Sequence, residues 1–309
     1  MRPIITITFS PCIDKSTSVP GLIPEKKLKC STPKLEPGGG GINVARAIKK
    51  LGGEPVAIFP AGGYTGKHFC YLMQKEWVES VVIETRNETR ENIIVFDELA
   101  GKQYRLGMPG TQLEEKEWQG CLDAVLKQND PEFIIASGSL PPGVPDNIYT
   151  LLARIAKSKQ AKLIVDASGE ALKHAADAGV YLLKPNLSEL SVLTGMEDIN
   201  PGTVESIARN YIMSKNCDIL VVSMGESGAL LVTKTETHRV IPPAVKCIST
   251  VGAGDSMVAG IVMGLSRNMS LKETLQYGVA CGTAATLHPG TELCTLEDTL
   301  KLMKDIKMQ

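Results

Sequence analysis

The chain has 309 residues, 43% of them hydrophobic, and a formal net charge of -1. A sizeable core fits in that length, as one α/β unit or two, and the near-neutral balance gives no electrostatic reason to expect nucleic acid or a membrane surface as partner. Eight scattered cysteines with no C-x-x-C pair, and four histidines with no paired spacing, exclude a disulfide scaffold and a zinc site and point to a reducing, cytoplasmic setting.

Ile4 to Phe9 alternates apolar residues with Thr and reads as a strand. It is too short for a signal peptide's apolar region, and no run approaches the ~18 apolar residues of a membrane span. Ser10 to Asp14 leaves this strand as a loop, with Asp14 at a strand end, where open α/β sheets present carboxylates to ligands. Lys15 to Pro37 has no helical period and carries prolines at 20, 24, 33 and 37, which predicts short antiparallel strands outside the main sheet. Gly38-Gly39-Gly40-Gly41 then runs into a helix with apolar Ile42, Ala45, Ile48 and Leu51, and Asn43 in its first turn. Four glycines let a ligand approach the backbone; the competing reading is a flexible hinge.

Ala61-Gly-Gly-Tyr-Thr-Gly66-Lys67-His68 imitates a nucleotide phosphate loop but lacks its first Gly and last Ser or Thr. It reads as a strand-to-helix turn with Phe69, Leu72 and Met73 packing inward. Ile93–Phe96, a turn at 98–101 and Gln103–Leu106 form a hairpin, a second extended insert. Arg90 and Arg105 here, with Lys27 on the first insert, are cations that could converge on an anion; solvated surface arginines are the competing reading.

From Gly110 onward short apolar strands alternate with helices, which implies a mainly parallel sheet covered on both faces. Polar turns follow the apolar strands at Ser137–Ser139, Asp166, Lys184–Asn186 and Ser223–Gly225, so these and Ser10–Asp14 should share one sheet edge, where such folds bind ligands. Helices are predicted at Asp255–Ser266, Leu271–Leu287 and Leu296–Lys307. Thr250-Val251-Gly252-Ala253-Gly254-Asp255 is a small-residue turn opening a long apolar helix. Its bare N–H groups and helix dipole suit a phosphate or a developing oxyanion. Asp255 beside them is placed to take a proton from an attacking hydroxyl; it is equally a favoured helix-capping residue.

Gly38-Gly-Gly-Gly-Ile-Asn-Val-Ala-Arg-Ala near the start and Ser249-Thr-Val-Gly-Ala-Gly-Asp-Ser-Met near the end, with Lys184-Pro-Asn186-x-x-Glu189 and Val222-Ser223-Met-Gly225 in order between them, resemble the ribokinase/PfkB carbohydrate kinase family. The resemblance spans essentially the whole chain. It implies one ribokinase-like kinase domain over residues 1–309: a three-layer α/β/α sandwich, mainly parallel, with a small β-sheet lid from inserts at about 15–37 and 90–108. The implied reaction is transfer of the ATP γ-phosphoryl group, with Mg2+, to a sugar hydroxyl. Ser137-Gly-Ser-Leu-Pro-Pro-Gly-Val144 and Val165-Asp-Ala-Ser-Gly-Glu-Ala-Leu172 resemble the branch acting on fructose 6-phosphate. Tagatose 6-phosphate and fructose 1-phosphate are the alternative acceptors, and a catalytically silent sugar-phosphate sensor is the alternative of another class.

On this resemblance Asp255 is the catalytic base, and Gly252, Ala253 and Gly254 hold the transferring charge. Asp14, Gly38, Gly39, Asn43 and Ser139 bind sugar hydroxyls; Arg90, Arg105 and Lys27 bind the sugar's phosphate. Asn186 and Glu189 organise Mg2+ through water, although Glu189 is also a favourable first-turn charge. Lys184 meets the nucleotide phosphates, Ser223, Gly225 and Gly228 line the nucleotide loop, Thr250 and Gly252 lie beneath the phosphates, and Thr283 edges the adenine. Many relatives also hold a monovalent cation such as K+; the matching places are Ser249, Val251, Ala285, His288, Gly290 and Glu292. At the last a basic residue is expected, so Glu292 is a departure. A homodimer with interlocked lids is also implied.

Overall fold

The computed structural model describes residues 2–197, 199–214 and 217–308. In chain order it runs β1 (Ile4–Ile7), β2 (Cys12–Val19), β3 (Lys34–Gly38), α1 (Gly40–Lys50), β4 (Pro55–Gly62), α2 (Gly63–Lys75), β5 (Glu79–Thr85), β6 (Arg90–Asp97), β7 (Lys102–Leu106), α3 (Glu115–Lys127), β8 (Phe133–Ser137), α4 (Ile148–Ser158), β9 (Lys162–Asp166) and α5 (Gly169–Ala178). Then come β10 (Val180–Leu183), α6 (Leu187–Thr194), α7 (Val204–Ser214), β11 (Cys217–Ser223), β12 (Ala229–Val232), β13 (Thr237–Ile241), α8 (Ala253–Ser266), α9 (Leu271–Ala285), α10 (Leu296–Met303) and β14 (Lys307–Met308).

The large sheet has the order β14-β13-β12-β11-β10-β9-β8-β1-β4-β5. Strands β11 through β5 pair in parallel, and β12, β13 and β14 close one edge antiparallel. The continuous apolar runs of β1 and β8 suit burial on both faces. Alternate side chains serve different cores: Ile5, Ile7 and Ile134 pack with α3 to α7, while Ile4, Phe133 and Ile135 pack with α1, α8, α9 and α10. Phe69, Leu72 and Met73 of α2 pack on β4 with Ile42 and Ala45, as the spacing predicts.

The second sheet has the order β3-β2-β6-β7 and is the predicted lid. Its centre is a parallel ladder, β2 on β6, so the two inserts form one sheet rather than two antiparallel pairs standing apart. The tail also differs from expectation. The predicted helix to Lys307 stops at Met303, because β14 turns back to pair with β13. Helix α9 stops at Ala285 rather than Leu287. Among the described residues no helix is long and apolar enough to cross a membrane.

The parallel strands β1, β8, β9, β10 and β11 end at one edge, and Ser10, Ser137, Asp166, Lys184 and Ser223 stand there together, as the alternation predicts. Asp14 is displaced from its predicted loop: it is the third residue of β2, inside the lid.

Candidate active site

The glycine turn opens α8 as the sequence predicts. Gly252 is the N-cap and is left-handed, at φ 72° and ψ 3°, a conformation costly for residues with a Cβ. Asp255 is therefore the third helical residue. Its carboxylate faces side chains from other elements: Asn43 Nδ2 donates to Oδ2 at 2.9 Å, and Ser137 Oγ donates to Oδ1 at 3.5 Å. Among the described residues Asp255 bonds to these side chains and to no amide of its own helix start, so its carboxylate faces the sheet edge rather than capping α8. Protein crowded around it, and next the charge of Asp166, push its pKa up to about 7; the Asn43 bond, the Lys184 cation and the Ser137 bond oppose this. A carboxyl poised near neutrality is suited to taking a proton from an alcohol as a bond forms.

The first turn of any α-helix leaves N–H groups without intrahelical acceptors. Here the Ala253 N–H makes a long contact of 3.4 Å to Thr250 O. A Cβ added at Gly254 would lie 3.7 Å from Lys184 Nζ, so this ammonium stands against the turn. Lys184 is 5% exposed and pairs with Asp166 Oδ1 at 3.1 Å. Burial is the largest influence and works against its charge, but Asp166, together with the charges of Glu189 and Asp255, holds the ammonium above its ordinary range. The result is a buried cation beside bare amides, which is what incoming phosphate needs.

Asn186 and Glu189 form a capping box at the start of α6, with Asn186 N–H to Glu189 Oε2 and Glu189 N–H to Asn186 Oδ1, both at 2.9 Å. The structural role is thus realised, and Glu189 Oε1 carries no hydrogen bond among the described residues. Burial, with the Asp166 charge adding, raises the Glu189 pKa. Asn186 bridges to Ser223 in parallel fashion, and Met224 N–H donates to Gly228 O at 2.8 Å. A Cβ at Gly228 would strike Val240 O, while Gly225 faces open space. Thr283 Oγ1 bonds back to Val279 O within α9 at 2.8 Å.

On the lid side, Asp14 is buried and stands beside Asn92, its register partner across the β2–β6 ladder; Asn92 Nδ2 donates to Asp14 Oδ1 at 3.0 Å. Burial raises the Asp14 pKa against that bond. The glycine run is closely packed rather than a free hinge. A Cβ at Gly38 would strike the Asp14 carboxylate, and one at Gly40 would strike Ser137 Oγ, so the run lets α1 enter between the lid and the sheet edge. Gly39, at φ 110°, is the N-cap of α1.

The three predicted cations part company. Arg105 Nη2 reaches across to Thr250 Oγ1 at 2.7 Å, joining the lid to the glycine turn. Arg90 donates to Met108 O at 2.8 Å and Ser10 O at 3.1 Å, and its buried Nε has no partner. Lys27 lies exposed in the loop between β2 and β3, with no ion pair or hydrogen bond among the described residues. Ser139 is exposed just past β8.

The expected cation places do gather. Ser249 Oγ donates to Gly290 O and accepts the Val251 N–H, both at 3.2 Å, and Ala285 O accepts the His288 N–H at 3.3 Å. Glu292 Oε1 accepts from Lys34 Nζ of β3 at 2.6 Å, and His288 lies between Asp298 at 3.0 Å and Glu292 at 3.6 Å. The Glu292 charge is thereby neutralised by the lid, and Lys34 holds its carboxyl below the usual range although burial opposes this. Among the described residues no group of three or more His, Cys, Asp or Glu could hold a metal ion by itself.

Sequence reasoning placed Ser137 and Asp166 at this edge without giving them roles. Asn92 and Lys34 carry no signal in the sequence, since each is defined by a partner far away in the chain.

Residues 5–298 match the model of the pfkB family of carbohydrate kinases. The chain is 46% identical over 303 residues to the ATP-dependent 6-phosphofructokinase isozyme 2 of Escherichia coli, covering 98% of each chain. It also resembles the crystal structure of Escherichia coli phosphofructokinase-2 in complex with fructose-6-phosphate, with a TM-score of 0.93, 44% identity and 99% of both chains covered. The structure of that enzyme in complex with potassium gives a TM-score of 0.94 at 45% identity, again over 99% of both chains.

Proposed function

The chain belongs to the pfkB family of carbohydrate kinases, and on that premise we propose that it transfers the γ-phosphoryl group of ATP to the 1-hydroxyl of fructose 6-phosphate, giving fructose 1,6-bisphosphate and ADP in glycolysis. The observation that carries the reading is Asp255, with a pKa near 7, at the start of a helix whose bare amides adjoin the buried Lys184. The Escherichia coli relative, which carries this activity in its name, supports the choice of acceptor.

In this mechanism Asp14, Gly38, Gly39, Asn43 and Ser139 orient the sugar, and Arg90 and Arg105 hold its 6-phosphate. The 1-hydroxyl oxygen attacks the γ-phosphorus while its proton passes to the Asp255 carboxylate. The bond from the γ-phosphorus to the β,γ-bridging oxygen breaks, and ADP departs. The amides of Gly252, Ala253 and Gly254 and the Lys184 ammonium neutralise charge on the transferring group, which is the larger part of catalysis in such reactions. Ser223, Gly225, Gly228, Thr250 and Thr283 line the nucleotide's path. Glu189 Oε1 and Asn186 would hold Mg2+ through water, which fits a site with few protein ligands, and the ion would supply neutralisation of the phosphate charge. Potassium, present in the complex of the Escherichia coli relative, would take carbonyls of the Ser249–Val251 and Ala285–Gly290 segments.

The lid surface supports a homodimer. Leu22, Ile23, Phe96, Leu99, Tyr104 and Leu106 are exposed there, and a second lid would cover them. In such a dimer the exposed Lys27 of one lid could also face the sugar phosphate of the other. The eight free cysteines fit a reducing cytoplasm.

The test is ADP release with fructose 6-phosphate, tagatose 6-phosphate, fructose 1-phosphate and fructose as competing acceptors. The reading requires fructose 6-phosphate to have the highest kcat/KM. Fructose should fall about 100-fold or more below it, since two charge-assisted contacts are lost. A higher kcat/KM for either other phosphate would overturn the acceptor, and no ADP release with any of them would overturn the reaction.

A further inference from the structure

Arg46 is 1% exposed, and its surroundings are more elaborate than a packing role needs. Nη1 donates to Pro37 O at 2.8 Å and to Asn43 Oδ1 at 3.4 Å. Nη2 donates to Glu76 Oε1 at 2.8 Å and to Glu36 Oε1 at 3.4 Å. Glu36 is itself buried, and its other oxygen accepts the Thr291 N–H at 3.2 Å. Asn43 and Arg46 lie three residues apart on α1 and so share a face.

The Asn43 amide has two ends of nearly equal shape and opposite polarity. One end faces Arg46 and the other faces Asp255 Oδ2 at 2.9 Å. A guanidinium only donates, so the end beside Arg46 must be the oxygen, and the end beside Asp255 is then the NH2 group. The reverse orientation would set oxygen against a carboxylate and NH2 against a guanidinium, unfavourable at both ends.

We propose that Arg46 is a positioning residue for phosphoryl transfer: by fixing the polarity of the Asn43 amide it holds a donor against Asp255, and it is itself fixed by Glu36, Glu76 and the Pro37 carbonyl. Arg46 touches no reacting atom, and the inference rests on the reading of Asp255 as base. The other groups facing Asp255 are Ser137 of β8, Asp166 of β9, Lys184 after β10 and the Cys12 thiol of β2. None of these contacts the Asn43 oxygen.

The test compares wild type, Arg46→Lys, Asn43→Ala and the double variant by kcat against pH at saturating fructose 6-phosphate, with Tm as the check of folding. Lysine keeps the charge but cannot serve all four acceptors. In Arg46→Lys the acid limb of kcat should move up by about half to one pH unit, and kcat at pH 7 should fall about 5-fold, the worth of one lost donor to a carboxylate. In the Asn43→Ala background, Arg46→Lys should change neither quantity further, because the effect travels through that amide. A folded Arg46→Lys enzyme with an unmoved limb and kcat within about 2-fold of wild type overturns the proposal, as does an equal additional effect in both backgrounds. If Arg46→Lys fails to fold, a wild-type structure at a resolution that tells Oδ1 from Nδ2 decides: oxygen towards Asp255 overturns the proposal, and nitrogen towards it supports it. Retained turnover in Asp255→Asn would instead remove the base reading, a distinguishable failure.

Discussion

Arg105 of the lid donates to Thr250 Oγ1 of the glycine turn at 2.7 Å, 145 residues away in the chain. One guanidinium thus ties the lid to the glycine turn. Arg105→Ala should raise KM for fructose 6-phosphate about 10- to 100-fold, the worth of one charge-assisted contact, and KM for ATP less than about 3-fold. Steady-state kinetics with each substrate varied checks this, and equal rises would remove the assigned role.

Arg90 does more structural work than Arg105. Its bonds to Ser10 O and Met108 O tie the lid to the end of β1. Arg90→Ala should therefore raise KM for the sugar phosphate and also lower Tm by about 2–6 °C, because two carbonyls lose their donor. Arg105, exposed and bonded to one hydroxyl, should leave Tm within about 2 °C of wild type when removed. Thermal denaturation of the two variants distinguishes them.

The Asp255 carboxyl carries a stability signature of definite sign. Its pKa is about 7 in the fold and 3.8 ordinarily, so the folded state binds more protons between those values. Stability from this group is fully present below about pH 4 and is lost as pH rises to about 7. Asparagine mimics the protonated form at every pH. Asp255→Asn should match the wild-type Tm near pH 4 and exceed it at pH 8, and a difference independent of pH would contradict the raised pKa.

Lys184 lowers the Asp255 pKa and pairs with Asp166. Lys184→Met should raise KM for ATP about 10-fold or more and shift the acid limb of kcat to higher pH. It should also lower Tm, since Asp166 is left half-buried and unpaired. A limb that moves to lower pH would show that Lys184 does not face the base.

The edge that gathers the site was legible in the sequence because parallel strands place their carboxyl ends together. Apolar runs ending in Ser137, Asp166, Lys184 and Ser223 are visible one at a time. Asp255 and the glycine turn were legible because a bare-amide helix start is a local pattern. What escaped was set by pairing between residues distant in the chain. Asn92 faces Asp14 only through the β2–β6 register, and the Glu292 departure makes sense only once Lys34 of β3 lies beside it. Asp14 was placed in a loop because Ser10-Pro11 reads as a break, yet the chain re-enters a strand at Cys12. The glycine run was read for a ligand, whereas Gly38 and Gly40 are also required by Asp14 and Ser137.

Acceptance of the attacking hydroxyl's proton by the Asp255 carboxylate can be read from single-turnover formation of fructose 1,6-bisphosphate in Asp255→Asn with ATP, Mg2+ and fructose 6-phosphate, alongside equilibrium binding of the sugar phosphate. The rate should fall about 100- to 10,000-fold below wild type with sugar-phosphate affinity nearly unchanged; a near-normal rate with intact binding would mean that Asp255 is not the base.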